Sequence, residues 1–451
     1  MAYPVVNTPD TGDTAWMLAS SALVLLMTPG LAFFYGGMVR AKNVLNMIMM
    51  SISAMGVVGV LWVLYGFSMS FGEDKWNLIG DPTQYWGLKT LFQGTYATTA
   101  TAKTVVPLAG SIPATVFVAF QLMFAIITVA LISGAVADRL KFGSWLAFSA
   151  IWVTVVYFPV AHWVFAFNGV LGDQGGWIAN RLKAIDFAGG TAVHINAGAA
   201  GLALALVLGK RAGWPKTPFR PHNLPFVMLG AGLLWFGWYG FNAGSATASN
   251  GAAGATFMTT TIATSTAMLA WLLVEKIRDG KPTSLGAASG IVAGLVAITP
   301  SCSSVNALGA LAIGAVAGAL CALAVSLKFR FGFDDSLDVV GVHLVGGLVG
   351  TLMVGLVADP MAYAGVKGLF YGGGLDQLAK QSVGAFAVLA YSFVATLVIA
   401  YALKFTIGLR ADREAEAVGM DESDHAETAY DNAALGGSPA AHVAGKEAAT
   451  V

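Results

Sequence analysis

The stretch DFAGGTAVHINAGAAG, residues 186–201, places one carboxylate and one imidazole inside a long apolar region. Its second half, VHINAGAAG (193–201), is echoed by VHLVGGLVG (342–350), because both read V-H-x-x-small-G-x-x-G. Polar groups are costly to bury without partners, and small residues let membrane helices approach closely. The repeat predicts that the two histidines occupy equivalent places in two related halves of the fold.

The composition around these motifs is typical of an integral membrane protein. Of the 451 residues, 57% are hydrophobic and only 11% are charged, whereas soluble domains carry about 25% charged residues. The formal net charge is zero, so the sequence does not indicate the basic surface that binding to nucleic acid requires. Cys302 and Cys321 are too few for a disulfide framework or a metal cluster, and we interpret both as small apolar residues.

Runs free of Asp, Glu, Lys and Arg predict the membrane helices, because a helix needs roughly 20 mostly apolar residues to cross a bilayer. Seven runs fit one helix each, and two are long enough for two helices, divided at the turn-rich NAGSATASNGAAG and TPSCSSVNA. The predicted fold is an all-α integral membrane protein with eleven transmembrane helices. The runs are 14–39, 43–72, 104–137, 142–172, 187–209, 221–274, 282–327, 339–358 and 381–403.

Basic residues predict the orientation, because cytoplasmic loops carry an excess of Lys and Arg. Sixteen follow odd-numbered helices and seven follow even-numbered ones, which puts the N-terminus outside and the C-terminus inside. We expect an extracellular segment (1–13), a transmembrane domain (14–404) and a cytoplasmic tail (405–451) whose last twenty or so residues are disordered. The start lacks a basic segment followed by a cleavable apolar core, so we expect no signal peptide.

The repeat falls on helices five and ten of this scheme, and these helices run in opposite directions. Two inverted five-helix halves plus one extra helix are therefore predicted, a plan that many transporters share, with the functional site near the midplane.

Three histidines fall within the predicted spans: His162, His194 and His343. A single membrane histidine is as easily structural as functional, but two at equivalent places favour a path for a small polar molecule. His194 lies eight residues past Asp186, about 12 Å along a helix, and His343 lies five past Asp338, about 7 Å. A hydrocarbon core of about 30 Å leaves roughly 10 Å between the rings, so the sequence does not decide whether the two rings touch.

Asp186 has two interpretations. Aspartate is favoured at helix N-termini, where it caps backbone N–H groups, but a carboxylate at the outer mouth would also stabilise a cation. Asp338, with Asp334 and Asp335 nearby, is expected to cap helix ten in the same way.

Aromatic side chains are dense in AFQLMFA (119–125), where Phe120 and Phe124 share one helical face, and in WFGWYGFNAGS (235–245). They fit either packing against protein and lipid or a cluster that binds a cation through ring faces.

Several motifs together resemble the Amt/Mep/Rh ammonium transporter family, on its bacterial Amt branch. The likeness runs from about residue 14 to Tyr430. It is carried by PGLAFFYGGMVRAKNVLN, VAFQLMFAIITVALISGAVADR, DFAGGTAVHINAGAAG, FRPHNLP, GWYGFNAGSA and DDSLDVVGVHLVGGLVG.

The resemblance implies a homotrimer in the cell membrane, each subunit having its own narrow pore, no enzymatic activity and no cofactor or metal. It implies that ammonium is recruited at an outer aromatic site, loses its proton and passes as ammonia. Potassium would be rejected because it has no proton to lose. The resemblance assigns His194 and His343 to the pore and Phe124 and Phe241 to its outer gate. It assigns Ser245 and Trp238 to the outer site that binds ammonium, in the vestibule, and Asp186 to a position below that vestibule.

One position departs from the family pattern. The outer cation site usually has a tryptophan four residues after the alanine of the AH pair in helix four, and here AHWVFAFNG puts Phe165 there. Phenylalanine is the weaker cation-binding ring. Trp163 is two residues away, roughly 200° round the helix, and is expected to face elsewhere.

The tail sequence GLRADREAEAVGMDESDHAETAY resembles the family's cytoplasmic tail, which implies control by a PII-type (GlnK-class) signal protein; the alternative is a disordered acidic tail. Two other functions compete with transport. One is an ammonium sensor that signals through this tail, and the other is a haem protein with membrane histidines as axial ligands.

Overall fold

The computed structural model describes residues 5–92 and 106–430. Within them, ten helices are long and apolar enough to cross a membrane, and the apolar helix Ser284–Ile298 is shorter. The predicted class, an all-α multi-pass membrane protein, is therefore confirmed, and each predicted span corresponds to a helix. In chain order the helices are α1 (Thr11–Met38), α2 (Ala41–Phe71), α3 (Ala114–Val136), α4 (Phe142–Phe165), α5 (Gly190–Leu208), α6 (Leu224–Gly244), α7 (Gly251–Asp279), α8 (Ser284–Ile298), α9 (Ala307–Phe331), α10 (Val340–Val357) and α11 (Asp376–Thr406).

Short elements connect these helices. The strands are β1 (Val5–Asn7), β2 (Asp74–Lys75), β3 (Ile79–Gly80), β4 (Val106–Ala109) and β5 (Ile112–Pro113). They form an antiparallel sheet in the order β1-β4-β5 and a separate β2-β3 hairpin. The short helical turns are Trp86–Leu88, Ile178–Leu182, Leu369–Tyr371, α12 (Arg413–Val418) and α13 (Met420–His425).

Capping side chains explain why the two longest apolar runs each divide into two helices. The Asn250 side chain accepts from the backbone N–H of Ala252 and Ala253, where α7 begins. The Asn306 side chain does the same for Gly309 at the start of α9. Asparagine at such a position satisfies N–H groups that have no partner within the helix. Both divisions lie within the turn-rich stretches that predicted them.

Four of the helices contain a π-helical turn: Trp62–Gly66, Val153–Tyr157, Gly190–Ile195 and Val340–Leu344. The last two hold the histidines of the sequence repeat, so both histidines sit on backbone of the same unusual form. Such turns often occur at functional sites.

The glycines of the repeat let α5 and α10 cross closely. A Cβ atom added at Gly198 would lie 2.6 Å from Cβ of Leu344, and one at Gly347 would lie 3.0 Å from Cγ1 of Ile195. Leu344 follows one histidine and Ile195 follows the other, so the contact is reciprocal. The crossing therefore brings the two π-helical turns side by side.

The two ends of the bundle carry different structures. The β1-β4-β5 sheet lies where α1 and α3 begin. The tail packs at their other ends, where Met420 N–H donates to Oδ1 of Asn43 (2.7 Å) and Phe142 N–H donates to Oδ2 of Asp424 (2.9 Å). We call the end with the sheet the vestibule face, because a cavity opens there, and the end with the tail the tail face. The predicted disorder of the last twenty or so residues lies outside the described residues.

Substitution of Gly198 by alanine should destabilise the protein by about 1–3 kcal/mol, because the added methyl would overlap Leu344 at the crossing. The measurement is thermal unfolding of the purified protein in detergent. Gly56→Ala is the matched control, since no described atom lies within 4 Å of a Cβ added there. Equal melting temperatures for both variants would contradict the close crossing.

Candidate pore and vestibule

His194 and His343 are in direct contact inside the bundle. Their side chains are almost fully buried, with 1% and 2% exposure. The ring centroids are 5.3 Å apart with planes 18° from parallel, and the two Nδ1 atoms are 3.2 Å apart. One Nδ1 must donate and the other accept, because two neutral imidazoles share a single proton in such a bond. The structure thus brings together the two residues of the repeat.

The aspartate that begins α10 is Asp335 rather than Asp338. The Asp335 carboxylate accepts from the N–H groups of Val339 (3.1 Å) and Val340 (2.7 Å), whereas Asp338 pairs with Lys328 (2.7 Å). The expectation for Asp338 was wrong because it took the aspartate nearest to His343 in the sequence as the cap. Asp335 lies eight residues before His343, the spacing of Asp186 and His194. Two distances of about 12 Å leave roughly 6 Å of a 30 Å core, in keeping with the ring contact.

Asp186 caps α5. Its two carboxylate oxygens accept four backbone N–H groups at 2.6–3.0 Å, from Gly189, Gly190, Thr191 and Ala192. The side chain lines neither the vestibule nor the gap beside the histidines. Of the two interpretations, the cap accounts for every contact of the carboxylate.

A cavity of about 170 Å³ opens on the vestibule face, and Phe124, Phe165 and Ser245 are among its lining residues. The Ser245 hydroxyl donates to the carbonyl of Phe241 (2.8 Å), so its oxygen lone pairs remain available to a donor. Phe165 meets Phe124 edge to face, with centroids 6.2 Å apart. The cavity therefore combines ring surfaces with a hydrogen-bond acceptor.

Trp163 faces away from this cavity, as expected from its position on the helix. Its indole N–H donates to the carbonyl of Leu78 (2.8 Å), and its ring packs against Trp177 and Tyr391. It does not replace Phe165 as a ring of the vestibule.

Two stacked rings separate the vestibule from the histidines. Phe124 and Phe241 lie parallel with centroids 4.2 Å apart, and both are essentially unexposed. Phe124 lines the vestibule, whereas Phe241 lines the gap beside the histidines, with its ring 6.2 Å from that of His194. The stacked pair therefore lies between the two spaces.

Trp238 lies one step deeper than its expected place in the vestibule site. Its ring stacks on His194 at 5.4 Å with planes 14° apart, and its indole N–H donates to Oγ1 of Thr299 (2.9 Å). It therefore holds the His194 ring from the side and lies beyond the phenylalanine pair.

The gap beside the histidines has a volume of about 10 Å³ and an otherwise apolar lining that includes Met27, Leu31 and Val292. A single water molecule needs a space of about 10–15 Å³, so the gap suits one very small molecule. Nε2 of His194 has no hydrogen-bond partner among the described residues. Two axial imidazoles must leave room for a porphyrin between them, and the direct ring contact leaves none.

The sequence did not point to Gln121 or Phe187, yet both line the vestibule. Gln121 was open to recognition, because it is a lone amide one residue after Phe120 in an apolar helix. Phe187 directly follows Asp186 and carried no signal of its own.

The profile of the Ammonium Transporter Family matches residues 15–430. The chain belongs to the ammonium transporter family. An ammonium transporter of Mycobacterium tuberculosis is 72% identical over 447 residues, covering 97% of this chain and 94% of that relative. One from Aquifex aeolicus is 48% identical, covering 95% and 96%. The resemblance drawn from the motifs is thereby confirmed.

Solved structures show the same fold. Candida albicans Mep2 matches with a TM-score of 0.80 and 33% identity, over 90% of this chain and 88% of that one. A structure described as a Sensor Amt Protein matches with a TM-score of 0.82 and 28% identity, over 92% and 98%. This is a family of transporters rather than enzymes.

In this ammonium transporter family member, Asp186→Asn should lower the free energy of unfolding by about 2–4 kcal/mol. An amide has one acceptor oxygen, so two of the four N–H groups at the start of α5 would lose their partners. Thermal unfolding in detergent measures the loss. Asp338→Asn is the control, since it removes only the partly exposed pair with Lys328 and should cost less than about 1 kcal/mol. Equal losses would contradict the capping role.

Proposed function

We propose that this chain carries ammonium across the cell membrane by binding the ion in the vestibule and passing neutral ammonia along the histidine pair. The observation that carries the proposal is the contact between His194 and His343 beyond a closed pair of stacked phenylalanines. The names of the related ammonium transporters support the substrate.

The vestibule face is outside and the tail face is cytoplasmic in this proposal, with eleven helices crossing the bilayer. The excess of Lys and Arg after odd-numbered helices supports that orientation. The reciprocal contacts of Gly198 and Gly347 support two inverted halves, because equivalent surfaces related by a two-fold axis contact each other in this way.

Recruitment uses the three vestibule groups together. Ammonium is a cation, so the ring of Phe165 and the exposed side of Phe124 attract it electrostatically. An ammonium N–H donates to the lone pair that the Ser245 hydroxyl leaves free. No carboxylate lines the cavity among the described residues, which keeps binding weak enough for release inward.

Selection takes place beyond the phenylalanine pair. An ion loses its water in a gap of about 10 Å³, and bare charge in hydrocarbon costs several kcal/mol or more. Ammonium avoids that cost by giving its proton to solvent water in the open vestibule, whereas potassium keeps its charge and is rejected. Neutral ammonia has N–H donors and one lone pair, and both suit the imidazole nitrogens, including the unpartnered Nε2 of His194.

A homotrimer and control by a PII-type signal protein complete the proposal, and both rest on family membership. Contacts between the tail and several loops of the tail face support such control. Arg410 donates to the carbonyl of Leu208 (2.9 Å), and the Tyr430 hydroxyl is 2.8 Å from Nε2 of His222. A protein that binds the tail would thereby act on the loops as well.

A second function, ammonium sensing through the tail, is favoured by the likeness to the Sensor Amt Protein. Reconstitution into proteoliposomes separates the two functions. Rapid ammonium uptake by the purified chain makes transport primary, and binding without uptake makes sensing primary.

Replacement of either pore histidine by alanine should lower selective ammonium uptake by about tenfold or more, because losing a hydrogen bond along the path raises the barrier by roughly 1.4 kcal/mol. Solid-supported-membrane recordings with ammonium pulses, in the presence and absence of potassium, measure both rate and selectivity. His425→Ala, on the tail face, is the control and should keep both. Normal uptake with intact potassium rejection in His194→Ala and His343→Ala would overturn the mechanism.

Phe165→Trp should lower the half-saturating ammonium concentration about two- to five-fold, because tryptophan binds cations more strongly by roughly 0.5–1 kcal/mol. Uptake against ammonium concentration measures the change. Trp163→Phe provides the comparison, since that ring faces away from the vestibule, and its half-saturating concentration should match the wild type. An unchanged value for Phe165→Trp would remove this ring from the binding site.

A further inference from the structure

Asp13, in the first turn of α1, links two separate segments of the vestibule face. Its Oδ2 atom accepts the hydroxyl of Ser111 (2.5 Å), which lies in the turn between β4 and β5. Its Oδ1 atom accepts the backbone N–H (2.8 Å) and the hydroxyl (3.2 Å) of Ser249. We call residues 110–111 the β4–β5 turn and residues 245–250 the α6–α7 loop. An ionised carboxylate is purely an acceptor, so it suits three donors from two segments.

Both segments form part of the wall of the vestibule. Gly110 lines the cavity from the β4–β5 turn, and Ser245 and Thr247 line it from the α6–α7 loop. Asp13 is not among the described residues that line the cavity. Its carboxylate therefore lies behind the wall, where it fastens the two lining segments to each other and to α1.

The two linked segments adjoin the helices that carry the aromatic rings. The β4–β5 turn comes shortly before α3, which carries Phe124, and the α6–α7 loop directly follows α6, which carries Phe241. The two helices are already close at this end, since a Cβ added at Gly244 would lie 2.9 Å from Cε2 of Phe120. The distance between Ser245 and the ring of Phe124 therefore depends on how the two segments are held together.

The α6–α7 loop needs support because its backbone is strained. Thr247 has a φ of 52°, in the left-handed region. A β-branched residue is an outlier there, and such strain persists only where the surrounding contacts hold the backbone in place. The Asp13 carboxylate supplies such a contact two residues further on, at Ser249.

We propose that Asp13 is a positioning residue for the ammonium site: it links the β4–β5 turn to the α6–α7 loop and so keeps Ser245 at the distance from Phe124 that binding requires. The inference rests on the proposed recruitment of ammonium in the vestibule. Without the link, the strained loop relaxes, and Ser245 no longer accepts from an ion that lies against the ring. Asp13 thus sets the affinity for ammonium without touching the ion.

A carboxylate at this place would alternatively act through its charge, by attracting the cation toward the cavity. Asparagine separates the two roles. In Asp13→Asn the amide oxygen still accepts from the N–H of Ser249, and the amide nitrogen donates to the hydroxyl oxygen of Ser111. The link is therefore kept while the charge is removed, whereas Asp13→Ala removes both.

Uptake by proteoliposomes against ammonium concentration measures half-saturation and maximal rate separately. We expect Asp13→Ala to raise half-saturation about three- to tenfold, because the contacts to both segments are lost. Ser111→Ala, which removes one of these contacts, should raise it about two- to threefold. Asp13→Asn should stay within about twofold of the wild type. A merely structural role would reduce the amount of active protein, and hence the maximal rate, without changing half-saturation.

Asp173→Ala is the matched control for charge. Asp173 is exposed and lies between Gly172 and Gln174, which line the cavity, and its side chain makes no hydrogen bond within the described part of the chain. This variant should keep the wild-type half-saturation. A normal value in Asp13→Ala would overturn the proposal. A rise in Asp13→Asn or Asp173→Ala equal to that in Asp13→Ala would also overturn it, because the effect would then follow the charge.

Hydrogen exchange of the backbone amides gives a readout that needs no transport. The amide of Ser249 loses its acceptor in Asp13→Ala, so we expect faster exchange in residues 245–250 than in the wild type. Asp13→Asn should keep the wild-type protection. Equal exchange in Asp13→Ala and the wild type would overturn the link. A wild type that takes up no ammonium would instead overturn the proposed function, on which the exchange measurement does not depend.

Discussion

Everything at the centre of this protein depends on how closely α5 and α10 cross. Two imidazoles reach each other at 3.2 Å only if their backbones are close, and side chains larger than hydrogen at Gly198 and Gly347 would separate them. In a membrane the helices gain little from the hydrophobic effect, so close packing of small residues is what holds them together. The glycines of the repeat are thus as necessary to the ring contact as the histidines.

The aspartates at the starts of these helices set the depth of the rings. Asp186 and Asp335 each satisfy backbone N–H groups that the bilayer core would leave without partners. Because each lies eight residues before its histidine, the two rings arrive at one level from opposite sides. The same caps that begin the helices therefore also fix the depth of the two imidazoles.

The sequence predicted the helices well, because long runs without charged residues mark segments that avoid water, and turn-rich stretches mark where the two longest runs divide. Two features escaped it. The choice of Asp338 over Asp335 failed because several aspartates lie together and only backbone geometry tells which one caps. The contact of Trp238 with His194 depends on how α6 is rotated, and a helix that is apolar on all sides gives no signal for rotation. The eleven crossings and their direction remain predictions from charge.

The π-helical turns at Gly190–Ile195 and Val340–Leu344 have a consequence for tolerance of length changes. A π turn accommodates one more residue than an α turn. Removal of that extra residue would restore an α turn, and the helix on both sides would keep its rotation. Removal of one residue from a regular α-helical segment instead rotates everything before it by about 100° relative to everything after it. The two π-helical segments are therefore the places where α5 and α10 can lose one residue with the least change in the direction of their other side chains.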